Sequence, residues 1–310
     1  MYSEIMPTAA LEQALASVLR GKTEAVRLSM VCLLARGHLL IEDVPGVGKT
    51  TLAHGLARAI DGGFQRLQFT SDMLPSDVLG VTIYNAHSEQ FEFKPGPIFT
   101  NFLLADEINR TTPKTQSALL EAMNEGQVTV DGRPLPLPDP FMVIATQNPA
   151  EHHGTYPLPE SQLDRFLMRL RIGYPDASSE REILRQTPNG HAAPVMDKAA
   201  LLEMQHAVQR IAVNDAVADY LLAIVERTRH HESLDLGVSP RGSQALYRAA
   251  QAMAYLEGRT YAIPDDVKRL AVPVCSHRVS VKTRTTLNGQ RSHQSDAILR
   301  EILTTIEVPI

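Results

Sequence analysis

The chain is 310 residues long, enough for one large domain or two smaller ones. With 44% apolar and 21% charged residues, it has the balance of a globular protein with a sizeable core. Its net charge of −5 supplies no overall basic field, which argues against a dedicated nucleic-acid binder while leaving a local basic groove open.

The two cysteines, Cys32 and Cys275, lie in apolar helical patterns and read as buried free thiols in a reducing cytoplasm, the expected location. No Cys-x-x-Cys pair offers zinc ligands. Residues 1–10 have neither the basic start nor the apolar run of a signal peptide. No segment approaches the roughly 18–20 apolar residues of a membrane span. The nearest, residues 28–41, is broken by Arg36, Gly37 and His38.

Leu11, Ala14, Leu15, Val18 and Leu19 recur with a helical period, so residues 11–35 read as two helices broken at Arg20-Gly21-Lys22. Residues 38–42 carry the apolar run Leu39-Leu40-Ile41, a buried strand, and residues 49–60 return to helical spacing. Residues 64–69 read as a strand, 70–75 as loop, and 81–84 with 90–93 as a small hairpin. Residues 102–105 form the next buried strand. Thr112 as N-cap and Pro113 at the first helical position open a helix to about Asn124. Residues 127–130 and 133–137 flank Asp131-Gly132, a two-residue hairpin signal, and 141–145 and 166–172 are further strands. After Tyr174-Pro175-Asp176 only helices follow, over residues 179–186, 198–211, 214–230, Pro240–Leu256 and 264–277, with 187–194 as a linker. This order predicts an α/β domain on a mostly parallel sheet sandwiched by helices over residues 1–186, then a smaller all-α domain over 195–310.

Between the first strand and its helix lies Asp43-Val44-Pro45-Gly46-Val47-Gly48-Lys49-Thr50. A phosphate loop needs backbone N–H groups aimed at phosphate oxygens, a helix N-terminus behind them, a lysine, and a hydroxyl for Mg²⁺. Gly46 and Gly48 permit close approach, Lys49 can reach the β- and γ-phosphates, and Thr50 can ligate Mg²⁺. The pattern G-x-x-x-x-G-K-[ST] is broken at its first glycine by Asp43, whose carboxylate either repels phosphate or points away.

Phe102-Leu103-Leu104-Ala105 runs straight into Asp106-Glu107. In open α/β sheets ligands sit beyond the carboxyl ends of the strands. Asp106 can there hold Mg²⁺ through water, and Glu107 can orient the attacking water. Residues 141–145 lead into Thr146-Gln147-Asn148-Pro149, so Asn148 can contact the γ-phosphate or the water, or simply belong to an Asn-Pro turn.

Arg165, in Leu163-Asp164-Arg165-Phe166, can pair locally with Asp164 or Glu160, or reach the γ-phosphate bound by a neighbouring subunit. Ser239 as N-cap and Pro240 at the first position put Arg241 in the first turn of a helix. A cation is disfavoured there by about 0.3–1 kcal/mol, and a nearby anion such as ATP phosphate would offset that.

In this order the motifs resemble the MoxR family of AAA+ ATPases over nearly the whole chain. VPGVGKTTLA looks like its Walker A, LLADEINR its Walker B, ATQNP its sensor 1, LDRF its arginine-finger region and GVSPRGSQAL its sensor 2. The resemblance implies a P-loop NTPase (AAA+) fold with a helical lid. It implies ATP and Mg²⁺ as cofactors, and nucleotide binding by Pro45, Gly46, Val47, Gly48, Lys49, Thr50, Thr51 and Arg241. Glu107, Lys49, Arg165 and Asn148 become the catalytic set, with Thr50 and Asp106 at the metal. Asn148 and Arg241 would act within one chain and Arg165 on a neighbour. It places residues 79–98 in the helix-2 hairpin clade. It also implies a ring, expected to be a hexamer, that remodels a protein client or inserts a metal cofactor, with a von Willebrand A-domain partner.

The pairs His152-His153 and His230-His231 diverge as neighbours and read as loop or surface histidines rather than a metal site. Glu121 and Glu125 read as a solvated face, Tyr220, Leu221, Ile224 and Val225 as core, and residues 282–291 as a polar surface strand or loop. Two rival functions use the same ATPase core. A nucleic-acid motor or loader would show DNA-stimulated, steeply salt-dependent turnover, and a non-hydrolysing nucleotide switch would show none.

Overall fold

The strands β1 (Leu39–Glu42), β2 (Phe64–Gln68), β3 (Gly80–Asn85), β4 (Gln90–Pro95), β5 (Phe102–Asp106), β6 (Gln127–Val130), β7 (Arg133–Pro136), β8 (Met142–Gln147) and β9 (Met168–Leu170) follow the predicted order closely. They come from a computed structural model that describes residues 7–148, 155–185, 193–282 and 288–309. Five of them form one parallel sheet in the order β2-β5-β8-β1-β9. The chain leaves β1 for the far edge, returns through β5 and β8, and crosses over β1 to β9. The strand order therefore reverses at β1, where open α/β sheets bind ligands.

The inner strands are buried on both faces, as their unbroken apolar runs require. Alternation sends Leu39, Ile41, Phe102, Leu104 and Ile144 to one face, and Leu40, Leu103, Ala105 and Val143 to the other. The first face packs on α1 (Pro7–Val18), α2 (Thr23–Leu34) and α3 (Lys49–Ala59). The second packs on α4 (Pro75–Leu79) and α5 (Pro113–Glu125), beneath the hairpins β3–β4 and β6–β7. Thr112 precedes α5 as expected, but its hydroxyl makes no capping bond, so Pro113 alone marks the start. Short α6 (Glu160–Leu163) leads into β9, and α7 (Ala177–Arg185) follows it.

The remaining helices are α8 (Lys198–Gln209), α9 (Asp215–Arg229), α10 (Pro240–Leu256), α11 (Pro264–Cys275) and α12 (Asn288–Thr305), with a two-strand ribbon of β10 (Leu234–Leu236) and β11 (Ser280–Val281). Their apolar side chains join those of α1–α3 in one continuous cluster. Gln205 on α8 donates to the Leu33 carbonyl of α2 at 2.8 Å. Tyr220, Leu221, Ile224 and Val225 are core residues, as their spacing predicts. Cys32 and Cys275 are buried and free; burial pushes the Cys275 thiol up to about 12 and Cys32 higher still.

Three elements differ from expectation. Residues 75–79, just past the expected loop 70–75, form an unanticipated helix, opened by Pro75 and a bond from Leu74 N–H to the Asp77 carboxylate. The β10–β11 ribbon is too short to leave an alternation signal. Part of 282–291, expected as strand or loop, belongs to α12, and residues 283–287 lie outside the described residues. His152 and His153 also lie outside them, while His230 is exposed at the end of α9. No helix among the described residues is long and apolar enough to cross a membrane.

Candidate functional site

β1 ends at Glu42, and Asp43 to Gly48 wrap over the carboxyl edge of the sheet into α3. Gly46 and Gly48 both adopt positive φ, 85° and 99°. That is cheap only for glycine and turns the loop's N–H groups toward the α3 N-terminus. Val47 is buried as the anchor, whereas Pro45, Gly46, Thr50 and Thr51 face solvent. The Lys49 ammonium arches over the loop and donates to the Asp43 carbonyl at 2.7 Å. The Asp43 carboxylate turns the other way. It accepts from its neighbour Val44 N–H at 2.9 Å, and from Ile172 N–H and Gly173 N–H beyond β9 at 2.7 and 2.6 Å.

The register Gln68↔Asp106, and the parallel pairing of β5 with β8, bring three strand ends together beside this loop. Asp106 is buried. Its Oδ1 accepts from the Thr146 hydroxyl at 2.6 Å, and its Oδ2 accepts from Arg66 Nε and Nη2 at 3.1 and 2.7 Å. Glu107 adopts φ 56°, an unfavourable conformation for a non-glycine residue and one that functional sites retain. Its N–H donates to Thr146 Oγ1 at 2.9 Å, and its carboxylate accepts from Gln68 Nε2 at 2.7 Å with Arg110 Nε 3.0 Å away. Asn148 follows β8, buried, on the same edge. Lys49, Thr50, Asp106, Glu107 and Asn148 thus share the carboxyl edge. Arg66, Gln68 and Thr146 were not legible as partners of these acids, because their roles follow from strand register. The Thr50 hydroxyl and Asp106 carboxylate are hard oxygen donors of the kind Mg²⁺ takes, and they fit that ion.

The two arginines stand elsewhere. His38 immediately precedes β1; its Nδ1 accepts from Val143 N–H and its Nε2 donates to the Met123 carbonyl, both at 3.0 Å. Burial chiefly lowers its pKa, to about 4, so the ring is neutral. The carboxyl-terminal turn of α5 therefore lies at the amino edge of the sheet, opposite the phosphate loop. Arg241 donates to Asn124 in that turn, and Arg165 Nη1 donates to the Leu120 carbonyl one turn earlier. Arg241, expected beside its own chain's phosphate loop, is thus placed with Arg165 at the far edge. The physical reason is the seat of α10, whose N-cap Ser239 bonds Asp164 before β9 rather than any group beyond the strand ends.

Arg165 does not take either of the local carboxylates open to it, since Asp164 is engaged by Arg278 instead. Its pKa is lowered by burial first and then by Arg241, against the opposing pull of Glu121 and Glu125. Its Nε is buried without a partner. Two like charges side by side make this edge suited to an anion.

A profile of the ATPase family associated with various cellular activities (AAA) matches residues 38–168, and one of the AAA lid domain matches residues 226–302. The chain is 52% identical over 297 residues to the uncharacterised protein YeaC of Bacillus subtilis, covering 94% of this chain and 92% of that one. It is 41% identical over 314 residues to Chaperone MoxR1 of Mycobacterium tuberculosis, covering 96% and 82%. A crystal structure of a candidate ATPase from Cytophaga hutchinsonii superposes with a TM-score of 0.88 at 36% identity, covering 98% of this chain and 95% of that one. With relatedness of this depth running through both the sheet unit and the lid helices, the chain belongs to the MoxR family of AAA+ ATPases.

Proposed function

We propose that this ATPase works as a ring, hexameric by family likeness, in the cytoplasm, and that each hydrolysis site is shared between two copies. The observation that carries this reading is the separation of the two halves of the chemistry on opposite edges of one sheet. The carboxyl edge holds the phosphate loop with Asp106, Glu107 and Asn148, and the amino edge holds Arg165 and Arg241.

In this reading the loop N–H groups and Lys49 hold the β- and γ-phosphates, with Pro45, Gly46, Val47, Gly48 and Thr51 shaping the cradle. Thr50 and Asp106 would hold Mg²⁺, which when bound neutralises charge on the phosphate oxygens. Glu107 orients and polarises the attacking water, and Asn148 fixes its position. Gln68 and Arg110 hold the Glu107 carboxylate in the structure described, so it must turn from them to reach the water. Arg165 and Arg241 of the adjacent copy face the γ-phosphate, where charge develops.

The ATPase core is residues 1–186 and the lid 195–310. The work is remodelling of a protein client, supported by likeness to a named chaperone. Metal-cofactor insertion with a von Willebrand A-domain partner is its narrower form. Glu107→Gln should bind ATP within about twofold of wild type and lose turnover by at least about 10², the scale of a positioned acid–base group. Equilibrium nucleotide binding and phosphate release measured side by side decide it, and wild-type turnover in the variant would remove Glu107 from the water-activating role.

A further inference from the structure

We propose that Asp164 and Arg278 are positioning residues that lock Arg165 and Arg241 into one rigid face presented to a second copy of the chain. Asp164 occupies the junction of three segments. Its Oδ1 accepts from Arg278 Nε at 2.8 Å, and its Oδ2 accepts from the Ser239 hydroxyl at 3.0 Å. Ser239 Oγ in turn accepts from Gly242 N–H at 3.0 Å, as N-cap of the helix whose first turn holds Arg241. One carboxylate therefore bonds both a lid arginine and the cap of α10, while its own residue is covalently next to Arg165.

Arg278 closes the joint from the other side. Its side chain is 2% exposed. Nη1 donates to the carbonyls of Leu167 (3.0 Å) and Val274, and Nη2 to those of Asp164 (3.3 Å) and Phe166 (2.5 Å). Its guanidinium thus fixes the backbone on both sides of Arg165. A Cβ on Gly242 would meet Arg278 Cδ at 2.8 Å and Val238 Cγ1 at 2.5 Å, so α10 is seated against Arg278 at glycine-only distance. A buried guanidinium with all its donors used, and a half-buried carboxylate partner with both oxygens engaged, make a joint with one geometry. Both Asp164 carboxylate oxygens and the Arg278 donors are engaged within the chain. Both act through Arg165 and Arg241, by holding two mutually repelling cations at a fixed spacing.

This inference rests on the shared-site reading, and subunit mixing separates the two. Glu107→Gln spoils the carboxyl edge of a copy and leaves its arginine edge intact. Asp164→Ala should do the reverse: ATP binding close to wild type, with turnover down about tenfold or more from the lost charge-assisted bonds. Mixed in equal amounts, the two impaired proteins assemble with about one interface in four complete. Turnover should then rise severalfold above the sum of the parts. Arg165→Ala mixed with Glu107→Gln serves as the reference. A rise with Arg165→Ala but none with Asp164→Ala overturns the positioning role. No rise with either overturns the shared site itself. If Asp164→Ala fails to fold, Asp164→Asn, isosteric but unable to pair ionically with Arg278, takes its place under the same two outcomes. A variant damaged throughout its fold does not gain activity from a partner whose only defect is Glu107.

Discussion

Asp43 breaks the expected glycine pattern without spoiling the loop. Its carboxylate points away from the phosphate side and absorbs three backbone N–H groups, two of them from the segment just beyond β9. Meanwhile its carbonyl receives the Lys49 ammonium. One residue thus ties the phosphate loop to the adjacent strand end and parks the lysine. Restoring the general pattern with Asp43→Gly should therefore weaken the protein. Leaving Ile172 and Gly173 N–H unmet costs about 1–3 kcal/mol, and the loosened loop should bind ATP several-fold more weakly. A denaturant melt and a nucleotide titration on the same variant test this, and unchanged or improved binding would show that the carboxylate is incidental. Whether the acid repels phosphate or turns aside could not be read from sequence, since nothing in the spacing reveals that residues 172 and 173 stand beside it. The same holds for Gln68, Arg66 and Thr146. Gly46, Gly48, Lys49, Thr50, Asp106 and Glu107 were legible because their spacing along the chain is local. Their partners across the sheet depend on non-local parallel register.

Among the elements, α12 was the least legible. Its buried stripe runs through Ser292, Ser295, Leu299, Ile302 and Leu303, at spacings of three and four. The first half of that stripe is polar, so a search for apolar periodicity finds only its last turns. The polarity has a physical reason: this half docks on charges at the root of the phosphate loop. Asp296 pairs with Arg169 at 2.6 Å and with Arg171 at 3.2 Å, and Glu42, the last residue of β1, pairs with both arginines and accepts from the Ser292 hydroxyl. Burial pushes the Glu42 carboxyl up, but Arg169, the Ser292 hydroxyl and Arg171 outweigh it and hold its pKa below the usual value. Arg169 is 7% exposed, so it depends on its partners for solvation. Asp296→Ala should cost about 3 kcal/mol, near the lower limit for breaking a buried pair because Glu42 remains. Urea unfolding of the variant against wild type measures it; a loss under about 0.5 kcal/mol would mean water replaces the carboxylate freely. The five strands of the parallel sheet, α5, α10 and the hairpins were legible because each is bounded by its own turn chemistry or apolar run.

At the scale of the whole molecule, the sheet has two chemically distinct edges that one chain cannot bring together. The phosphate loop and acidic strand ends face one way, Arg165 and Arg241 the other, with the length of the strands between them. Had Arg241 reached over its own phosphate loop, as the order of motifs implies, a lone chain would lack only Arg165. Under the shared-site proposal, its position at the amino edge means that a lone chain keeps Lys49 beside the phosphates but lacks both arginines. Turnover per chain should therefore vanish on dilution while ATP binding persists, and should rise with concentration until assembly is complete. Arg241→Ala distinguishes the two placements. Acting on a neighbour, it leaves ATP affinity of the dilute chain unchanged and lowers turnover of the assembled protein at least about tenfold, part of the about 10³–10⁵ an arginine supplies at a transferring phosphoryl group. Acting within its own chain, it weakens ATP binding at every dilution. Nucleotide affinity measured well below the assembly concentration, with turnover measured above it, reads both quantities on the same protein, and a dilution-independent loss of affinity would return Arg241 to its own site.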